Sequence, residues 1–366
     1  MKAGLRADRL KAASSATGSK AASGAGSKAA PGTDGERAVS GAKGLIAKGL
    51  QRLRALLRFS AVLVLLATFS STSHAAERLY IALISKGFQH QFWQAVKLGA
   101  EQAARDFGVD ITFEGPESES QVDRQIDMLQ AALSRRPDAI ALAALDSRAV
   151  IPLLEQAQAA GIPVVGFDSG VDSDIPVTTA ATDNVAAAAL AADKMAELIG
   201  YSGEVALIVH DQTSRTGIDR RDGFVNRIRE AYPDIRIVDI QYGGGDHLRS
   251  TDLAKAILQA HPNLKGFFGA NEGSAIGVVN AVMELNLAGK VAVIGYDSGR
   301  LQMEAIRSGV MAGAITQNPI GIGYEAVRAA VMAVRGEPLP KVIDTGFFWY
   351  DQSNIDSEEI RPLLYE

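Results

Sequence analysis

From Leu79 onward the apolar residues fall into two alternating patterns. Short runs rich in Val, Ile and Ala, closed by Gly, Ser or Asp, predict buried strands at Leu79–Ser85, Val109–Glu114, Ala139–Leu145, Ile162–Phe167 and Val177–Ala181. Between them, apolar positions three and four apart predict helices over Gln91–Phe107, Ser120–Ser134 and Ala149–Ala160. Phe92, Val96, Gly99, Ala103 and Phe107 form one face of the first. Gly108 and Gly161 stand just past helix ends, as C-caps do, and Ser120 and Asp146 or Ser147 stand where N-caps do. The same order then returns. Strands are predicted at Glu204–His210, Ile235–Gln241, Gly266–Ala270, Val291–Tyr296 and Met311–Thr316, and helices at Asp219–Ala231, Leu248–Ala260, Ser274–Leu285 and Leu301–Ser308. A helix over Tyr324–Arg335 and a strand near Val342–Tyr350 follow. Strands alternating with such helices predict parallel sheets, and a series given twice predicts two α/β lobes with more than one chain crossing between them.

One phrase is common to both series: Gly166-Phe167-Asp168-Ser169-Gly170 and Gly295-Tyr296-Asp297-Ser298-Gly299. Each copy lies just past the carboxyl end of a predicted strand, where open α/β sheets bind their ligands. Asp, Ser and Gly are common after strands, so a chance repeat of turn residues is the alternative. A match broken only by a Phe/Tyr exchange favours two similar lobes, each offering a carboxylate to one small polar molecule.

The segment before Leu79 has a different character. Residues 1–44 are Ala, Gly, Ser and Lys with hardly an apolar side chain larger than Ala or Val, a composition that cannot offset its ordering entropy and is expected to be disordered. Arg52, Arg54 and Arg58 then precede an apolar stretch from Phe59 to Phe69, and small residues run on to Ala76. Basic flank, short apolar core and small-residue end are the parts of a secretory signal peptide, and the stretch is short for a membrane span. Cleavage after Ala75 or Ala76 and a periplasmic destination are expected; a retained helix or anchor is the alternative.

Charge divides along the same line. Of 37 Lys and Arg and 42 Asp and Glu, 12 and 3 fall within residues 1–58, which leaves 25 and 39 from Glu77 onward and a net charge of −14 there. A body this acidic is a poor match for a phosphate backbone, so no nucleic-acid partner is expected. There is no cysteine, which excludes disulfides, thiolate metal sites and a Cys nucleophile. The five His residues show no metal spacing. Ser85-Lys86-Gly87-Phe88 stands where a dinucleotide-binding glycine motif would open the first helix, and Gly243-Gly244-Gly245-Asp246 lacks the Lys-Ser/Thr of a phosphate loop. No cofactor or metal is expected. Asp168 and Asp297 as a glycosidase pair would need unlike environments, which the repeat argues against.

The stretches Ile81-Ala-Leu-Ile, His90-Gln91-Phe92-Trp93, Ile162-Pro163-Val164-Val165-Gly166-Phe167-Asp168, Thr182-Asp183-Asn184, Arg220-Arg221-Asp222-Gly223-Phe224, Ala260-His261-Pro262, Asn271-Glu272, Gly295-Tyr296-Asp297 and Ile315-Thr316-Gln317 occur in the order and spacing of the type I periplasmic sugar-binding proteins, of the ribose- and galactose-binding kind. The chain resembles that family over nearly all of Leu79–Tyr350. The resemblance implies two Rossmann-like lobes with parallel sheets, joined by three hinge crossings near Asp183, Asn318 and Thr345, with a monosaccharide clamped between them. The lobes would comprise residues 77–182 plus 319–345 and residues 183–318 plus 346–366, after a lead-in and signal peptide over 1–76. By similarity, His90, Phe92, Trp93 and Asp168 with Ser169 contact the ligand from the first lobe, and Arg220, Asn271, Asp297 and Gln317 from the second lobe and hinge. Ribose-type proteins carry Arg where this chain has Ser169, an aromatic where it has Gly245 with His247 the nearest ring, and Asn where it has His90.

These residue types suit a sugar. An ionised Asp accepts from two hydroxyls at once, Asn and Gln both donate and accept, and Arg supplies a fork of donors. Aromatic faces match the C–H side of the ring. The alternative for Phe92 and Trp93 is core packing at the start of a helix, the alternative for His90 is a helix-entry residue, and Asp183 fits a hinge turn better than a ligand contact. Of Arg220 and Arg221, the resemblance makes Arg220 the inward one. The expected function is a non-catalytic, monomeric binding protein that captures a monosaccharide or polyol and delivers it to an ABC transporter permease. The alternative is a ligand-sensing module for a chemoreceptor or membrane sensor. A repressor of this fold would carry a DNA-binding helix-turn-helix where the export signal stands.

Overall fold

The structure, a computed structural model, describes residues 78–365. The low-complexity lead-in and the signal peptide expected over residues 1–76 lie outside them. Among the described residues no helix is long and apolar enough to cross a membrane.

The doubled series becomes two six-stranded sheets. The first contains β1 (Tyr80–Ile84), β2 (Asp110–Glu114), β3 (Ala139–Leu142), β4 (Val164–Phe167), β5 (Thr178–Ala181) and β11 (Val342–Asp344), all parallel, in the order β11-β5-β4-β3-β1-β2. The second contains β6 (Gly203–Val209), β7 (Ile235–Tyr242), β8 (Leu264–Gly269), β9 (Ala292–Tyr296), β10 (Gly313–Gln317) and β12 (Phe347–Asp351), in the order β12-β10-β9-β8-β6-β7. Only β12 is antiparallel to its neighbour, β10. The single strand expected near Val342–Tyr350 is therefore two. Gly346, at φ 80°, turns the chain between them, and the halves join different sheets.

The helices are α1 (Gln91–Phe107), α2 (Val122–Ser134), α3 (Ile151–Ala159), α4 (Asn184–Ile199), α5 (Arg215–Ala231), α6 (His247–Ala260), α7 (Glu272–Glu284), α8 (Arg300–Arg307) and α9 (Pro319–Val334). The sequence pattern missed α4. Its Ala-rich face is apolar almost all round, so no period stands out, and its signals are terminal: Asp183 accepts the Ala186 N–H, and Gly200 closes the helix in the left-handed region. Two expected caps also fail. Neither Ser120 nor Ser147 caps a helix, because α2 begins after Gln121 and α3 after Val150. Asp146 instead accepts the N–H groups of Arg148 and Ala149 in the turn before α3. Gly108 is the left-handed C-cap of α1 at φ 66°, and Gly161, at φ 72°, lies one residue past the C-cap of α3.

Three passages of chain connect the sheets: from β5 to α4 at Thr182 and Asp183, from β10 to α9 at Asn318, and from β11 to β12 at Thr345 and Gly346. The second brings α9 back onto α1. The two helices approach so closely that a Cβ on Gly99 or Gly323 would sit 1.9 Å from a backbone oxygen of the other helix, so only glycine fits at either position. This contact belongs to the first lobe's core, with Ile81, Leu83, Trp93, Val96, Phe167 and Val327. It fixes the start of α1, which carries Phe92 and Trp93, against the sheet.

Candidate ligand-binding site

Residues just past the carboxyl ends of strands in both sheets meet around one cavity. Lys86 follows β1, Asp168 follows β4, His210 follows β6, Asn271 follows β8 and Asp297 follows β9. The space between them is small and enclosed by residues from both sheets. A larger, open hollow lies at the amino-terminal edge of the first sheet, beside Pro137, Ile162 and Val334. Strand ends of that sense are not where such sheets place their chemistry.

Eight of the nine candidate residues line the cavity: His90, Phe92, Trp93, Asp168, Arg220, Asn271, Asp297 and Gln317. Ser169 does not. The backbone reverses at Asp168, at φ 56°, and Ser169 is fully buried outside the cavity with its hydroxyl unpaired. Phe92 and Trp93, in the first turn of α1, meet edge to face at 5.0 Å and 88°. They belong both to the core and to the cavity wall, so the two alternatives for them hold together. Asp183 is the N-cap of α4. Arg220 is the inward arginine of its pair. Its guanidinium stacks on Tyr296 at 3.7 Å, donates to Asn184 Oδ1 at 2.8 Å and to the Ala270 carbonyl at 3.0 Å, and lies 3.9 Å from Asp297.

Four cavity residues escaped the sequence reading: Lys86, Glu119, His210 and Thr216. Lys86 and His210 lie within two residues of strand ends, and the strand-end rule applied to every strand would have found them. Glu119 lies in the loop before α2 and had no such signal. The four form a buried polar chain. Lys86 Nζ donates to Thr216 Oγ1 at 3.0 Å and lies 3.8 Å from Glu119, and Thr216 meets His210 Nε2 at 3.1 Å. Glu119 also accepts the Trp93 indole N–H at 2.7 Å, which fixes the plane of that ring. Burial opposes ionisation of Glu119, but the Lys86 charge, with this bond, holds its pKa down to about 2. Burial lowers both histidines, His210 to about 3, so both are neutral.

The departures from the ribose pattern have a structural reading. A Cβ on Gly245, itself at φ 69°, would be strained and would press at 3.0–3.3 Å on the side-chain ends of Gln89, Asn271 and His90. His247 supplies the ring instead, stacked on His90 at 5.8 Å and 16° across the two lobes.

The two carboxylates of the doubled phrase differ. Asp297 accepts from Gln317 Nε2 at 2.7 Å and from the Glu272 N–H at 2.9 Å. Asp168 has only charges for company: burial pushes its carboxyl up to about 6, and Lys86 and Arg220 pull against that. Its oxygens are free to accept from a ligand.

The model of the periplasmic binding protein domain matches residues 81–338. The chain is 30% identical over 291 residues to the D-allose-binding periplasmic protein of Escherichia coli, covering 77% of this chain and 92% of that one. It is 28% identical over 256 residues to the D-apiose import binding protein of Actinobacillus succinogenes, covering 69% and 79%. Among solved structures it is similar to a carbohydrate transporter solute binding protein from Agrobacterium radiobacter in complex with D-arabinose, with TM-score 0.76, 30% identity and 79% and 99% of the two chains covered. An ABC transporter solute binding protein from Agrobacterium vitis with bound D-fucose also superposes with TM-score 0.76, at 33% identity, covering 78% and 100%.

Proposed function

This chain belongs to the periplasmic binding protein domain family, and from that premise we propose that it captures a monosaccharide or polyol between its two lobes and delivers it to an ABC importer. It is a binding protein and not an enzyme, as its relatives are. The observation that carries the reading is the convergence of aromatic rings, an unpaired carboxylate and paired amides from both sheets on one cavity at the carboxyl ends of the strands. Asp168 and Asp297 accept ring hydroxyls, Asn271 and Gln317 both donate and accept, Arg220 donates, His90 makes a further polar contact, and Phe92 and Trp93 cover the C–H face. Lys86 adds a further donor. The lobes close as residues 77–182 with 319–345 against 183–318 with 346–366, hinged at the three passages between the sheets. The mature protein begins near Ala76 or Glu77, works in the periplasm and is monomeric.

A thermal-shift screen of monosaccharides and polyols on the mature protein tests this. A ligand bound only by the folded state raises stability by mass action, so one or a few sugars should raise the melting temperature with concentration. No shift by any of them at millimolar concentration would overturn the reading.

A further inference from the structure

His90 stands where ribose-type proteins carry Asn, and the residue before it decides what the ring can offer a ligand. Gln89 is half-buried and does not line the cavity, but its side-chain amide meets three groups. Oε1 accepts the Glu119 N–H at 3.2 Å, while Nε2 donates to the Gly245 carbonyl at 3.1 Å and stands 2.8 Å from His90 Nε2. Glu119 follows β2 of the first sheet and Gly245 follows β7 of the second, so the amide is anchored to both. These two backbone groups fix which end is which. Turned over, the amide would set N–H against N–H at Glu119 and oxygen against oxygen at Gly245. The Gly245 carbonyl packs so close to α7 that a Cβ on Gly273 would lie 1.9 Å from its oxygen, which holds this anchor in place. With an amide N–H facing it, His90 Nε2 offers its lone pair, so the imidazole is neutral and carries its proton on Nδ1. That Nδ1 is buried and has no partner among the described residues, in a ring that lines the cavity and is 3% exposed.

We propose that Gln89 is a positioning residue that holds His90 in its Nδ1–H form, so that His90 meets the ligand only as a donor and selects an oxygen with a free lone pair. A buried N–H left without an acceptor is costly, and a ligand oxygen supplies what this one lacks. An Asn at this place can donate or accept as the ligand requires. The ring cannot, because its one acceptor is already taken by Gln89. A ligand hydroxyl met here has to give its own proton elsewhere, to a group such as the Asp168 carboxylate, whereas an ether oxygen has none to place. A sugar with a deoxy carbon or an ammonium group at that point leaves the Nδ1–H unpaired, and a site built to hydrogen-bond an oxygen rejects such a ligand.

The inference rests on the sugar-capture reading, and its test separates the two. In protein with isotope-labelled histidine, two-bond proton–nitrogen correlation spectra read the tautomer directly, and the His90 signals are those lost in His90→Asn. The parent protein should carry the His90 proton on Nδ1. Gln89→Glu puts a carboxylate acceptor at the same place and should move the proton to Nε2, and Gln89→Ala should leave a mixture of the two forms. With the best sugar from the thermal screen, Gln89→Glu should weaken binding by about ten-fold when His90 is present. In the His90→Asn background, where no tautomer is left to reverse, the same change should alter affinity by no more than about two-fold. A purely structural role for Gln89 would cost the same in both backgrounds. A proton on Nε2 in the parent, or equal losses in the two backgrounds, would overturn the proposal. If no monosaccharide or polyol binds the parent, the capture reading fails and the ligand contact with it, while the spectra still decide whether Gln89 sets the tautomer.

Discussion

The phrase Phe/Tyr-Asp-Ser-Gly occurs once in each lobe, with the same backbone and different surroundings. In both copies the Asp adopts positive φ, 56° at Asp168 and 79° at Asp297, and donates its N–H to the next strand, to Ala180 at 2.9 Å and Ile315 at 2.7 Å. A non-glycine residue in that region is uncommon and bears strain, and here the strain aims a side chain at the cleft. Beyond the backbone the copies part. Asp297 is held by Gln317 and Glu272, and Ser298 accepts from Thr316 at 2.9 Å. Asp168 has no such partner, and Ser169 is buried with its hydroxyl unpaired. One lobe presents a finished half-site, the other a carboxylate that only a ligand completes. A repeated sequence thus conserves where a group stands and not what it is bonded to.

The largest expected effect comes from the residue that faces both copies. Arg220→Met leaves Asp297 without its guanidinium and removes the bonds to Asn184 and Ala270, so it should cost roughly 3–5 kcal/mol of unliganded stability by chemical denaturation. An unchanged midpoint would show that the second lobe is not held by this network. Next come the carboxylates as ligand groups. Asp168→Ala and Asp297→Ala should each weaken sugar binding by about 2–4 kcal/mol in calorimetric titration, because hydroxyls buried in the closed cleft lose charge-assisted partners. If Asp168→Ala binds like the parent, its free oxygens are not reserved for the ligand.

A third prediction concerns protons. With its closed-state pKa raised to about 6, against the usual value near 4, Asp168 favours unliganded closure fully below the open value. That contribution is lost as pH rises through about 6. Lowering pH from 7 to 4 should therefore shorten the distance between spin labels at Glu117→Cys and Leu248→Cys, exposed on opposite lobes, in sugar-free protein, and Asp168→Asn should reduce the change. The smallest contrast is in the serines. Ser298→Ala gives up the Thr316 bond and should cost about 1 kcal/mol of stability, whereas Ser169→Ala removes an unpaired hydroxyl and should be neutral or mildly stabilising.

Much of this was legible from residue patterns, for identifiable reasons. Strands such as Tyr80–Ile84 and Ala292–Tyr296 are continuous apolar runs, and the helix over Gln91–Phe107 shows its face at helical spacing. Asn184–Ile199 was hidden because alanine suits every face. Asp168, Asp297 and Arg220 could be picked out by repeat and resemblance. Lys86 and His210 were open to the strand-end rule, but Glu119 lies in a loop and acquires its place only when β1 and α1 bring Lys86 and Trp93 to it. The unlike bonding of the two Asp residues depends on Gln317 and Glu272, far apart in sequence from the phrase in the first lobe and without counterparts there. No pattern within the phrase itself carries that.

The central claim, that equal residues have unequal partners, is tested most directly by the unliganded stability of Asp168→Ala and Asp297→Ala side by side. Gln317, Glu272 and Arg220 belong to the same lobe as Asp297, so their bonds persist whether the cleft is open or closed. Chemical denaturation without sugar should show Asp297→Ala losing roughly 1–3 kcal/mol, with Asp168→Ala as stable as the parent or more so. Equal losses in the two variants, or a loss confined to Asp168→Ala, would contradict the account.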